Sequence, residues 1–261
     1  MIKKILYISL VTILISCQSE YQKLLKSNDY ENMYEQALMY YNAEDYYKAY
    51  SLFEKLLPIY RITEKGEKIN YYVARCYYEE GDYLMAAYYF NQFIVTFPDS
   101  EYCETAQYFM ALCYQYNSPK PSLDQTYTYK AIDEFQRYIN KYPQGEYLKE
   151  SNNYIAELRE KLEIKAYEKA KLYYLIEDYK AAVVVLKNCL LEYPDTKFRE
   201  EIVYMTFRSA YLLAKNSVDD KKEQRIESAI DEYEAYIDEY PEGQWIKDAE
   251  KMFEKINKKT I

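Results

Sequence analysis

Along this chain, apolar and aromatic residues recur at spacings of three and four. Short polar or proline-bearing breaks interrupt them, which is the signature of consecutive amphipathic helices. One helix type carries Asp45-Tyr46, Ala49, Phe53 and Leu56. Asp82-Tyr83, Ala86, Phe90 and Phe93 repeat it at the same offsets, as do Asp178-Tyr179, Ala182, Leu186 and Cys189. Reduced copies are Ala131, Phe135 and Tyr138, then Ala229, Tyr233 and Tyr236. Four copies end at a proline mark: Phe97-Pro98-Asp99, Tyr142-Pro143-Gln144, Tyr193-Pro194-Asp195 and Tyr240-Pro241-Glu242. The first copy has Arg61 in place of the proline. Proline lacks the N–H that continues a helix, so each mark predicts a stop.

A second helix precedes each copy and carries Ala-x-x-Tyr, as Ala37/Tyr40, Ala74/Tyr77, Ala111/Tyr114 and Ala170/Tyr173, weakening to Ala210/Leu213 in the fifth. An alanine facing an alanine lets two helix axes approach closely while larger aromatics fill the space around them. Helix, tight turn and helix, five times over and closed by proline in four, resembles the tetratricopeptide repeat. The expected fold is an all-α tetratricopeptide-repeat solenoid of about five helix pairs. The step between marks is 37 residues from Ala37 to Ala74 to Ala111, then 59 to Ala170. Residues Tyr147 to Glu177 contain neither Gly nor Pro and predict one long helix of about 45 Å. Tyr116 to Thr128 predicts a longer loop, Asn216 to Glu223 a polar turn, and Gln244 to Lys258 an amphipathic capping helix. The expected organisation is a leader (1–16), a linker (17–28), three repeats (29–145), and a long helix with two repeats and a cap (146–261).

The leader rests on Met1 to Cys17, where Lys3 and Lys4 precede an apolar run from Ile5 to Ile15. That run is too short to span a bilayer and reads as a signal-peptide core. Leu14-Ile15-Ser16-Cys17 resembles a bacterial lipobox, which implies cleavage before Cys17 and a diacylglycerol on its thiol; the alternative is an ordinary secretory signal that contains a cysteine. Removing residues 1–16 removes two lysines, so the net charge goes from −9 to −11. The lipid, rather than a basic surface, is then the expected membrane contact. No other cofactor is expected. Cys76, Cys103, Cys113 and Cys189 have no framework spacing and are expected as buried free thiols.

Composition removes several function classes. The chain has 37 Tyr, 4 Gly and no His, with 34 Lys+Arg against 43 Asp+Glu. Without histidine there is no His-based triad, His-ligated zinc or imidazole base. The acidic balance argues against a nucleic-acid partner. No GxGxxG, GxxxxGK[ST], calcium-loop or nucleophile-elbow pattern occurs, so neither an enzyme nor a small-molecule substrate is expected.

Peptide binding is the better reading, because repeat arrays present the first helix of each pair along a concave face. Three residues before the alanine mark stand Tyr34, Tyr71 and Tyr108. One after it stand Leu38, Arg75 and Leu112, and four after it Tyr41, Tyr78 and Gln115. These predict an aromatic trough with one cation, suited to an extended segment with aromatic side chains and a nearby carboxylate. The same tyrosines could instead pack helix against helix. In the fourth pair, Val184 and Val185 lie off the repeat core and either pack on the long helix or dock a partner, the second being favoured.

Lipobox, five divergent repeats, the long mid-chain helix and the Tyr193 to Thr196 turn together resemble the BamD family of outer-membrane assembly lipoproteins. The resemblance implies an outer-membrane lipoprotein facing the periplasm. Its C-terminal repeats would bind the periplasmic domains of a BamA-like barrel protein. Its N-terminal repeats would receive the C-terminal strand of unfolded outer-membrane protein clients. The apolar Val183 to Val185 departs from the polar docking contact expected there. A lipid-anchored adaptor for other envelope proteins is the alternative.

Overall fold

A computed structural model describes residues 20–61 and 63–258. The leader and Cys17 lie outside the described residues. Twelve helices are present among them and no strand. A first helix, α1, covers residues 20–26. Five pairs follow: α2 (Tyr30–Asn42) with α3 (Tyr46–Tyr60), α4 (Glu64–Glu79) with α5 (Tyr83–Thr96), α6 (Cys103–Tyr116) with α7 (Thr126–Lys141), α8 (Leu148–Leu175) with α9 (Tyr179–Glu192), and α10 (Arg199–Lys215) with α11 (Asp219–Glu239). The last helix is α12 (Ile246–Asn257). This is the expected all-α array of helix pairs.

The turns follow from local chemistry. Asp45, Asp82 and Asp178 cap α3, α5 and α9 by accepting from the backbone N–H of Lys48, Met85 and Ala181. The residue before each aspartate takes a left-handed conformation: Glu44 at φ 61°, Gly81 at φ 81° and Glu177 at φ 63°. Only Gly81 occupies it without a Cβ penalty. The second helices of the later pairs stop at Phe97, Tyr142, Tyr193 and Tyr240, each followed by its proline. In the first pair Pro58 lies inside α3, and the helix ends at Arg61 with φ 24°.

The facing alanines are shut away from solvent: Ala37 and Ala49, Ala74 and Ala86, Ala111 and Ala131, and Ala170 and Ala182 are all fully buried. The chain divides into two compact units, residues up to 119 with 124–158, and 120–123 with 159–261. The division falls within α8, between Leu158 and Arg159, rather than at residue 146. In the first unit three apolar clusters follow one another along the pairs. In the second unit one cluster is built on α8 and α9, and another on α10, α11 and α12.

Two expectations are corrected. Residues 20–26, assigned to a linker, are helical, and Tyr21 is buried with its ring edge-on to Tyr40 at 5.7 Å. The polar turn assigned to Asn216–Glu223 is shorter, because α11 begins at Asp219. Asp219 and Asp220 in its first turn favour an early helix start through the helix dipole.

Cys76, Cys103, Cys113 and Cys189 are free and buried. Burial pushes the Cys76 thiol up to about 12 and the Cys189 thiol up to about 11. At pH 8 all four are therefore expected to react with a water-soluble disulfide reagent at least about tenfold more slowly than in denaturant. Stopped-flow thiol titration checks this, and rapid labelling of any of the four in the folded chain contradicts it.

Candidate functional site

The first helix of each pair carries the same set of side chains at fixed intervals, and two of them build the contact with the next turn. A glutamate lies four residues before the ladder aromatic in four pairs: Glu67 before Tyr71, Glu104 before Tyr108, Glu163 before Tyr167 and Glu200 before Tyr204. Each carboxylate holds the turn that follows its pair. Ser100 Oγ donates to Glu67 at 2.5 Å and Thr196 Oγ1 to Glu163 at 2.6 Å. The Glu146 N–H donates to Glu104 at 2.8 Å and the Gln244 N–H to Glu200 at 2.6 Å. From the same turns an aromatic ring stacks on the ladder tyrosine. Tyr102 covers Tyr71 at 4.6 Å, Tyr147 covers Tyr108 at 4.1 Å, Phe198 covers Tyr167 at 4.0 Å and Trp245 covers Tyr204 at 5.1 Å.

This geometry corrects the trough at three positions. Tyr71 and Tyr108 are each only 7% exposed and Leu112 5%, so these side chains pack pair against pair. The geometry also corrects the register of the fifth pair. Tyr204 does there what Tyr108 does in the third, so Phe207, not Ala210, stands at the alanine position. Phe207 lies 37 residues after Ala170, the same step that separates Ala37, Ala74 and Ala111. That step was the available signal; the alanine at position 210 masked it.

Five expected residues remain half-buried in the first unit: Tyr34, Leu38, Tyr41, Arg75 and Tyr78. In place of a third ring on Tyr34, the chain supplies Lys65, whose Nζ lies 4.9 Å from the ring centroid. Leu38 joins the apolar cluster of the first pair. Arg75 is the centre of the group. Its guanidinium lies 4.2 Å from the Phe109 centroid and 5.9 Å from that of Tyr78. Its Nη2 pairs with Glu79 at 2.5 Å, and Nη1 reaches the Tyr71 hydroxyl at 3.5 Å. The Arg75 Nε and the Gln115 Oε1 are buried without a hydrogen-bond partner. Burial pulls the Arg75 basicity down, but the Glu79 carboxylate and the Tyr41 and Tyr71 hydroxyls outweigh it and hold the group above its ordinary value. Tyr116, half exposed at 50%, stacks on Tyr83 at 4.7 Å and lies 6.1 Å from Tyr78. The result is an aromatic cluster around a guanidinium with a donor to spare, open at Tyr116.

In the second unit the same position after the mark holds cations that sequence reading missed. Lys171 Nζ donates to the Tyr167 hydroxyl at 2.8 Å and pairs with Glu201 at 3.0 Å. Arg208 donates to the Tyr204 hydroxyl at 3.3 Å, and Tyr204 donates to Asp248. On α9, Val184 is 55% exposed, whereas Val185 packs into the cluster of α8 and α9, so only the first is available to a partner. Leu191, seven residues on and on the same helix face, is exposed too.

Among the described residues, no group of His, Cys, Asp or Glu side chains could hold a metal ion, and no helix is long and apolar enough to cross a membrane. Two solved structures similar to the chain are the TPR2AB domain in complex with pHSP90 from yeast Sti1 and the TPR domain of P58(IPK). The first is 14% identical with a TM-score of 0.41, covering 87% of this chain and 98% of that one. The second is 15% identical with a TM-score of 0.43, covering 92% and 68%. A search of curated proteins returned no match. The sequence model of the family described as YfiO, outer membrane lipoprotein, matches residues 26–199 and 163–260. With nearly all of the repeat-bearing sequence matched, the chain belongs to the YfiO outer membrane lipoprotein family.

Proposed function

We propose that this protein is a non-catalytic receptor of the outer-membrane barrel assembly machinery, fixed to the membrane by a lipid on Cys17 on the periplasmic face. Its first unit captures the C-terminal end of an unfolded barrel protein. Its second unit docks on a BamA-like barrel component, with Val184 as one contact. The observation that carries the reading is the Arg75 cluster. A guanidinium stacked on Phe109, with Tyr78 and Tyr116 beside it, offers an aromatic side chain a face to pack on and a carboxylate a charge-assisted donor. Glu79 holds Nη2 in the free chain while the buried Nε has no partner, so an incoming carboxylate takes the open donor or competes with Glu79 for the guanidinium.

The test uses a peptide copied from the last strand of a barrel protein, with a free C-terminal carboxylate. Arg75→Ala is expected to weaken binding about tenfold or more, roughly 1.4 kcal/mol, whereas Glu79→Gln strengthens it by releasing the guanidinium. Binding unchanged by both substitutions moves the site off this face. Absence of peptide binding, with retained binding to folded envelope proteins, favours the adaptor reading, for which the exposed Val184 and Leu191 on α9 provide a surface.

A further inference from the structure

In the first unit, exposed apolar side chains lie together at the edge where the second helices begin. Tyr47, in the first turn of α3, is 62% exposed. Leu84, Met85 and Tyr88, in the first two turns of α5, are 48%, 37% and 54% exposed. Leu84 and Tyr88 are one helical turn apart and share a face. A chain of rings joins the two groups. Tyr47 lies 5.6 Å from Tyr50, Tyr50 4.9 Å from Tyr77 of α4, Tyr77 5.1 Å from Tyr89, and Tyr89 5.3 Å from Tyr88. The Tyr77 and Tyr89 hydroxyls both donate to Glu54 Oε1, at 3.0 and 3.2 Å, so the rings between the exposed ends are held in place.

The start of α1 lies at the same edge. Lys48, next to Tyr47, has its Nζ 5.9 Å from the Tyr21 ring centroid, while the Leu25 carbonyl farther along α1 accepts from Lys55. So α1 runs beside α3 in the same direction, and its N-terminal end points to the edge where α3 begins. Cys17 stands four residues before the buried Tyr21, a reach of at most about 14 Å at about 3.5 Å per residue. A lipid on Cys17 therefore brings the bilayer surface to this edge. The chemistry of the patch fits that surface. Tyrosine sets an apolar ring and a polar hydroxyl at the boundary between lipid and water, and Leu84 and Met85 add apolar volume. Lys48 is paired with Asp45, and the exposed charges beside the patch are Glu44 and Glu80, so the contact rests on apolar burial rather than on attraction to anionic headgroups. We propose that Tyr47, Leu84, Met85 and Tyr88 lie in the headgroup interface of the bilayer that holds the Cys17 lipid, an inference that rests on the lipid reading above. The acyl chains keep the protein on the membrane, and this edge sets how it is oriented there.

The test uses the full lipidated chain in phosphatidylcholine vesicles, with and without bromine on the acyl chains. Trp245→Phe keeps a ring on Tyr204 and removes the native tryptophan signal. In that background Tyr47→Trp, Tyr88→Trp and Val95→Trp each place one indole. Val95 is exposed too, but lies eleven residues beyond Leu84, about 16 Å along α5. An interfacial face sits about 5–10 Å into the headgroup and acyl boundary, so bromine is expected to quench the first two indoles at least about twofold more than the third. Leu84→Asp combined with Met85→Asp is expected to remove that difference while the protein still floats with the vesicles. Circular dichroism establishes that the variants fold. Equal quenching at all three positions, or none, in a chain that floats overturns the proposal and leaves the lipid reading standing. A blue-shifted but unquenched indole in Tyr47→Trp assigns the edge to a protein contact, a second copy if sedimentation gives a dimer, and overturns it as well. A chain that does not float and carries no diacylglycerol by mass spectrometry removes the lipid reading and the proposal with it.

Discussion

Phe207→Ala is expected to cost the second unit about 3–5 kcal/mol, although it makes the fifth pair look more like the others. Alanine stands at this position in the first four pairs because a facing alanine lies directly across the helix contact. In the fifth pair the ring of Phe207 fills that space: it is fully buried, lies 5.5 Å from Tyr233, and belongs to the cluster with Ala229 and Tyr211. Truncation removes the ring's transfer energy and leaves a cavity that the surrounding helices close only in part. The chain's single tryptophan, Trp245, stacks on Tyr204 in the same unit and reports its unfolding. Urea titration followed by that fluorescence measures the loss. A loss below about 1 kcal/mol shows that Ala210, not Phe207, is the true counterpart of Ala111, and the register assigned here then fails.

The second large effect is expected at Glu104. Its carboxylate accepts from the Tyr138 hydroxyl at 2.8 Å and from the Glu146 N–H at 2.8 Å, and the Tyr147 N–H donates to the same hydroxyl at 2.9 Å. Tyr138 is fully buried, and burial together with Glu104 holds its phenol above the ordinary range. Removing the acceptor leaves a buried hydroxyl and a backbone donor unpaired, each costing about 1–3 kcal/mol. Glu104→Ala is thus expected to destabilise the turn after α7 by about 2–4 kcal/mol, while Glu104→Gln keeps an acceptor oxygen and most of the stability. Hydrogen exchange of residues 138–147 is the measurement. Equal protection in the two variants contradicts the account. A Cβ at Gly145 would run into both the Tyr138 hydroxyl and Glu104 Oε1, so this turn accepts only glycine without moving the network. The fifth pair repeats the arrangement with Glu200, Tyr236 and Gly243, where the Tyr236 phenol is pushed up to about 12 by burial.

These two residues also divide what the chain announces locally from what it does not. Helix pairs, their turns and their stops were readable because each rests on neighbours a few residues apart. Examples are the aspartate caps at Asp45, Asp82 and Asp178, the prolines after Phe97, Tyr142, Tyr193 and Tyr240, and apolar spacing that must repeat once per turn. The long α8 followed from the lack of glycine and proline, and the buried thiols from the helical positions of the cysteines. The repeat marks flag Arg75 and Tyr78, whose ring lies 5.9 Å from the guanidinium, but Phe109 and Glu79 complete the group from positions the marks do not flag.

Tertiary structure alone decided which ladder tyrosines remain accessible. Tyr34, Tyr71 and Tyr108 are the same residue at the same register position, yet Tyr71 and Tyr108 are covered and Tyr34 is not. The difference lies in Tyr102 and Tyr147, which arrive from the turn after the pair, where Tyr34 meets the ammonium of Lys65. Likewise Val184 and Val185 are adjacent and alike, but one faces solvent and the other a helix. Burial is a property of what comes from elsewhere in the chain. The helices, their pairing and the small residues between them follow from the sequence, because short-range backbone geometry and periodicity are local. The accessible surface and the fifth register came only with folding, because each depends on side chains brought together from tens of residues apart.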